Sequence, residues 1–76
     1  MAKWCLGIDL GGTFIKFVLV DEKFRPTPTM QLPTPPQGGA GNVVAQMAAG
    51  LGKILKKNRV RRDDVLGIGV GSPGPI

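Results

Sequence analysis

The chain has 76 residues, enough for one small domain with a modest core. At 42% hydrophobic and 20% charged, its composition is that of a globular chain and excludes a disordered one. No apolar run approaches the roughly 18 residues that a membrane-spanning helix needs. The net charge of +5 is local, because Lys53, Lys56, Lys57, Arg59, Arg61 and Arg62 fall within ten residues. That cluster fits a basic binding module, but no aromatic residue from Pro26 onward offers a base a stacking platform. A solvated helix end, where cations complement the C-terminal dipole, is the preferred reading, with no nucleic-acid partner expected.

In chain order, Lys3 to Leu10 and Thr13 to Asp21 read as two strands joined by a tight turn at Gly11-Gly12. In the second strand Phe14, Lys16, Val18 and Val20 share one face, with Ile15, Phe17 and Leu19 on the other. Both faces are largely apolar, which predicts a sheet covered on both sides. Cys5, the single cysteine, is expected as a small buried hydrophobe. Asp21 to Arg25 reads as a turn. Thr27 to Leu32 is a weaker third strand, kept short or at an edge by Pro26 and Pro28. Pro33 to Gly41 is a connector whose PxxP spacing needs no partner to explain it.

Asn42 is the expected N-cap of a helix running to about Lys57, with Asn58 closing it in a left-handed conformation. Val43, Val44, Met47, Leu51, Ile54 and Leu55 form its apolar stripe. Gly50 and Gly52 each cost about 1 kcal/mol relative to Ala, and either permit close approach to the sheet or are tolerated. Val65 to Val70 is a last strand, followed by the turn-rich Gly71-Ser72-Pro73-Gly74-Pro75. The order is β-β-β-α-β in an α/β chain. It places the hairpin turn and a strand's C-terminal end at one rim, where α/β proteins commonly bind ligands.

The chemistry concentrates in Gly7 to Lys16. Adjacent glycines permit positive φ and bring a ligand close to bare N–H groups. Thr13 adds a hydroxyl, Lys16 a cation, and Asp9 a hard oxygen suited to Mg²⁺. Asp9 also interrupts a run that otherwise wants burial, and a charge there needs a partner or a task. Together these groups suit a nucleotide's phosphate tail, and a plain hairpin with a Gly-Gly turn is the alternative. Two other motifs fail. Gly69 to Gly74 satisfies G-x-G-x-x-G, but Pro73 and Pro75 oppose the helix that a dinucleotide site requires. A P-loop needs a lysine where Thr13 stands.

The segment Ile8-Asp9-Leu10-Gly11-Gly12-Thr13-Phe14-Ile15-Lys16 resembles the first phosphate motif of the sugar kinase, actin and heat-shock ATPase superfamily. In detail it is most similar to the ROK family (repressors, open reading frames and kinases), whose best-known enzymes are bacterial glucokinases. Leu66 to Ile76 resembles a second ROK signature, and Val20-Asp21-Glu22 and Leu32-Pro33-Thr34-Pro35 fit the same pattern. Phe14 departs from the Lys or Asn often found there. The resemblance implies residues 1–76 as the N-terminal part of one RNase H-like, actin-like ATPase domain. It implies an ATP- and Mg²⁺-dependent hexose kinase, with Asp9 near the metal and Gly11, Gly12, Thr13 and Lys16 near the phosphates. Gly71, Ser72 and Gly74 would stand near the sugar.

No catalytic base is found: the chain has no His, and Asp21, Glu22, Asp63 and Asp64 fall in turns. One cysteine without histidine cannot make the structural zinc site that many of these kinases carry. The expectation is therefore an N-terminal piece of a larger kinase, without turnover by itself. A sugar-sensing repressor of the same family is the alternative, but its helix-turn-helix has no room before Lys3. A cytoplasmic location is expected, since no targeting segment is evident. An open edge on the last strand and an uncovered sheet face predict self-association.

Overall fold

The computed structural model describes residues 3–35 and 39–71. Strands β1 (Trp4–Leu10), β2 (Phe14–Asp21) and β3 (Met30–Pro33) lead to helix α1 (Gly39–Asn58), a short 3₁₀ turn (Arg62–Asp64) and strand β4 (Val65–Gly71). The sheet order is β3-β2-β1-β4. Neighbours are antiparallel from β3 to β1, and β1 pairs with β4 in parallel. Strands β3, β1 and β4 therefore point the same way, and α1 is the crossover that a parallel return requires. This is the β-β-β-α-β order of the first half of an RNase H-like domain.

Strand periodicity sorts the side chains. Leu6 and Ile8 of β1 and Ile15, Phe17 and Leu19 of β2 point at α1, where Ile54 and Leu55 complete the buried core. Gly50 lets the helix settle on the sheet: an added Cβ would lie 2.5 Å from Phe17 Cε1 and closer still to Cε2 and Cζ. Gly52 has nothing within 4 Å of that position and is merely tolerated. Helix α1 packs on β2 and β3. Leu66, Ile68 and Val70 of β4 stay exposed, beside an apolar groove shared with Val44, Met47 and Leu51.

The expectation of cover on both faces does not hold among the described residues. Cys5, Gly7 and Asp9 of β1 line the face away from α1, and Cys5 is exposed, not buried. Asp9 lies on that solvent-facing side, so its charge carries no burial cost there. The run around it is interrupted because Ile8 and Leu10 face the helix and Asp9 does not.

The ends of the elements also differ from the sequence reading. Helix α1 begins before Asn42, which is inside it. Asn58 is still helical, and its side-chain amide donates to the Ile54 carbonyl at 2.9 Å. The left-handed position falls to Arg59, at φ 57. The Arg59 N–H then reaches the Lys56 carbonyl and the Val60 N–H the Leu55 carbonyl, which is the pairing of a Schellman stop. Strand β3 starts three residues later than expected because the prolines break its ladder. Pro26 makes only a bridge to Val20, and Thr27 holds Leu19 through one backbone and one hydroxyl bond before pairing resumes at Met30. No helix among the described residues is long and apolar enough to cross a membrane.

Candidate functional site

The β1–β2 turn is closed by the Gly11 N–H donating to the Phe14 carbonyl at 3.0 Å, which leaves Gly12 and Thr13 at the tip. Neither glycine uses a left-handed φ. Gly11 is required for clearance, since a Cβ there would lie 2.8 Å from the Phe14 carbonyl oxygen. At Gly12 a Cβ would meet nothing within 4 Å, so no neighbour among the described residues explains that glycine. The Gly12 N–H meets no acceptor among the described residues.

Two residues below the turn, Asp9 of β1 stands opposite Lys16 of β2. Both side chains are exposed on the open face, and they form no ion pair with each other. Of the other acids, Asp21 pairs with Arg25, Asp64 with Lys3 and Asp63 with Arg61, and exposed Glu22 makes no ion pair among the described residues. On the other side of Asp9 lies Gly71, its parallel neighbour at the end of β4. An open cleft of about 320 Å³ runs back from this rim, with Gly7, Asp9, Lys16, Val18, Thr29 and Gly69 among its lining. Gly7 and Gly69 are register partners and give the cleft a bare floor.

The structure thus brings Asp9, Lys16 and Gly71 to one level, with Gly11, Gly12 and Thr13 at the rim above them. Ser72 and Gly74 lie outside the described residues. Two residues of this region were given no role from the sequence, although Thr34 lies in a stretch that fits the ROK pattern. Thr29 lines the cleft from the approach to β3. Thr34, half-buried, bonds both Gly11 and Thr13 from the end of β3. A lone threonine between prolines carries no local signal for such a contact, which depends on β3 pairing with β2.

The remaining charges lie elsewhere. Asp21 locks the β2–β3 turn: its carboxylate accepts the backbone N–H groups of Arg25 and Lys23 and the Arg25 guanidinium. The Arg25 backbone bond is the main reason its pKa falls below the ordinary value of 3.8. Lys53, Lys56 and Lys57 are exposed on the last turns of α1, which leads into the start of β4, at the end of the sheet away from Asp9. No cluster of three or more metal-ligating side chains occurs among the described residues. Asp9 can therefore hold a metal only with ligands supplied from outside these residues, the mode in which Mg²⁺ binds through one carboxylate, waters and phosphate oxygens.

Comparison with known proteins agrees with this architecture. The glucokinase of Halalkalibacterium halodurans is 32% identical over 74 residues, 97% of this chain and 22% of that protein. The crystal structure of a ROK family glucokinase from Streptomyces griseus, in complex with glucose and AMPPNP, superposes with a TM-score of 0.72. It is 31% identical, over 93% of this chain and 20% of that one. A solved Cytophaga hutchinsonii protein matches with a TM-score of 0.65 and 32% identity, over 96% of this chain and 23% of its own. The chain thus spans about a fifth of the length of these relatives. The ROK family model matches residues 5–76, nearly the whole sequence, and the chain belongs to the ROK family.

Proposed function

We propose that this chain forms the phosphate-binding rim of an ATP-dependent hexose kinase of glucose-like specificity. The observation that carries this reading is the Asp9–Lys16 pair: opposite charges on paired strands, both exposed and not joined to each other. Below it is a glycine-floored cleft, and above it Gly12 has, among the described residues, no acceptor for its N–H and no steric reason to be glycine. Joined to each other, the two charges would contribute about 0.2–1 kcal/mol to the hairpin, a contribution that is not taken here.

In this reading Lys16 and the Gly12 and Thr13 donors hold the phosphate tail, and Asp9 holds Mg²⁺. The ion, when bound, neutralises charge on the transferring phosphate. Gly71 stands beside Asp9 at the end of β4, and in this reading that end of the rim faces the sugar. The Streptomyces griseus relative was solved with glucose and an ATP analogue, which supports a hexose and a nucleotide as the two ligands. Among the described residues no second carboxylate lines the cleft to serve as base, so the 76-residue chain is expected to bind phosphate without phosphorylating sugar. Calorimetric titration of the chain with ATP and Mg²⁺ tests the reading. Lys16→Ala is expected to weaken binding about tenfold, the scale of one charge-assisted hydrogen bond. Equal affinity in the wild type and in Lys16→Ala would refute it.

A further inference from the structure

Thr34 touches the β1–β2 turn twice. Its N–H donates to the Thr13 carbonyl at 2.8 Å, and its hydroxyl donates to the Gly11 carbonyl at 2.8 Å. The two acceptors flank Gly12. The Gly11 carbonyl and the Gly12 N–H belong to one planar trans peptide unit, in which they point in opposite directions. Drawing the Gly11 oxygen toward Thr34 therefore turns the Gly12 N–H away from it. A carbonyl that accepts a hydrogen bond also polarises its own amide and strengthens the N–H as a donor. The Gly12 N–H has no acceptor among the described residues.

The brace is itself anchored. Gln46 of α1 donates from its side-chain amide to the Pro33 carbonyl at 2.8 Å, one residue before Thr34. Pro33 pairs with Phe14, which fixes the end of β3 against the start of β2. Helix, edge strand and turn are joined in one continuous set of contacts.

We propose that Thr34 is a positioning residue that aims and polarises the Gly12 N–H toward a phosphate oxygen of the bound nucleotide. The proposal rests on the phosphate reading of this rim. It differs from a purely structural role for Thr34, in which losing the hydroxyl lowers stability and leaves the affinity of the folded protein unchanged.

The test is an NMR titration of the chain with ATP and Mg²⁺, following the Gly12 amide well below each variant's melting temperature. Thr34→Val removes the hydroxyl and keeps the shape and the backbone donor, and Thr34→Ser restores the hydroxyl. The expected result is binding about three- to tenfold weaker in Thr34→Val, the worth of one hydrogen bond, and within about twofold of wild type in Thr34→Ser. Should Thr34→Val not fold, Gln46→Ala releases the anchor without touching the turn and is expected to weaken binding roughly two- to threefold, less than the bond it replaces. If the wild type shifts Gly12 on binding and Thr34→Val or Gln46→Ala binds equally well, the positioning role is overturned and the phosphate reading stands. If the wild type does not shift Gly12 at any ligand concentration, the phosphate reading fails and the role of Thr34 fails with it.

Discussion

Replacing Gly50 by Ala sets two effects against each other. Helix propensity alone favours Ala by about 1 kcal/mol. The new Cβ, however, would press on Phe17 Cε1 at 2.5 Å and more tightly on Cε2 and Cζ. That ring is fully buried, with 0% exposure, in the core between the sheet and α1, so it cannot swing out into solvent. Relief requires α1 to lift from the sheet, and overpacking of this kind costs about 1–3 kcal/mol or more. Because the contact falls on ring atoms that cannot swing out, the upper part of that range applies, and the net loss is about 1–2 kcal/mol. At roughly 4–8 °C per kcal/mol for a domain of this size, Tm falls by about 5–15 °C. Gly52→Ala, in the same helix with nothing within 4 Å, has only the propensity effect and raises Tm by a few degrees. Thermal melts followed by circular dichroism on the two variants check this. Gly50→Ala melting at or above the wild type would refute the packing of α1 against Phe17.

The β2–β3 turn should respond to acid. The lowered pKa of Asp21 stabilises the fold at all pH above the ordinary value of 3.8, and that contribution is lost as pH falls through the lower folded value. NMR shifts of Lys23 and Arg25 amides should titrate below 3.8 in the wild type and stay flat in Asp21→Asn. A purified 76-residue chain given glucose, ATP and Mg²⁺ should release no more ADP than its Lys16→Ala variant in a coupled assay. The open outer edge of β4, with Leu66, Ile68 and Val70 exposed, should drive association that rises with concentration in light scattering. Ile68→Lys should return the chain to monomer, and a wild type that is monomeric at millimolar concentration would contradict this.

Much of the fold was legible because its signals are local. The alternation of Ile15, Phe17 and Leu19 against Lys16 and Val18 marks β2 and its buried face, and the stripe ending in Ile54 and Leu55 marks α1. What was not legible depends on which faces meet. Cys5 and Asp9 sit in an apolar run, but only register and the single covering helix decide that their face is open. Arg59 rather than Asn58 takes the left-handed position because Val60 must turn back to the Leu55 carbonyl and the core. At the site, Asp9, Gly12 and Lys16 announced themselves by residue type. Thr34 did not, because its two bonds span more than twenty residues and exist only once β3 has paired.

The most direct test of the phosphate rim is a residue-by-residue map of where ATP and Mg²⁺ bind. In a ¹H–¹⁵N NMR titration the largest shifts should fall on Asp9, on Gly11 to Lys16, and on Gly71, and should need about tenfold more ligand to reach half their extent in Lys16→Ala. Shifts confined to the basic stretch from Lys53 to Arg62, with the β1–β2 turn unmoved, would contradict the assignment and make the chain a polyanion-binding surface instead.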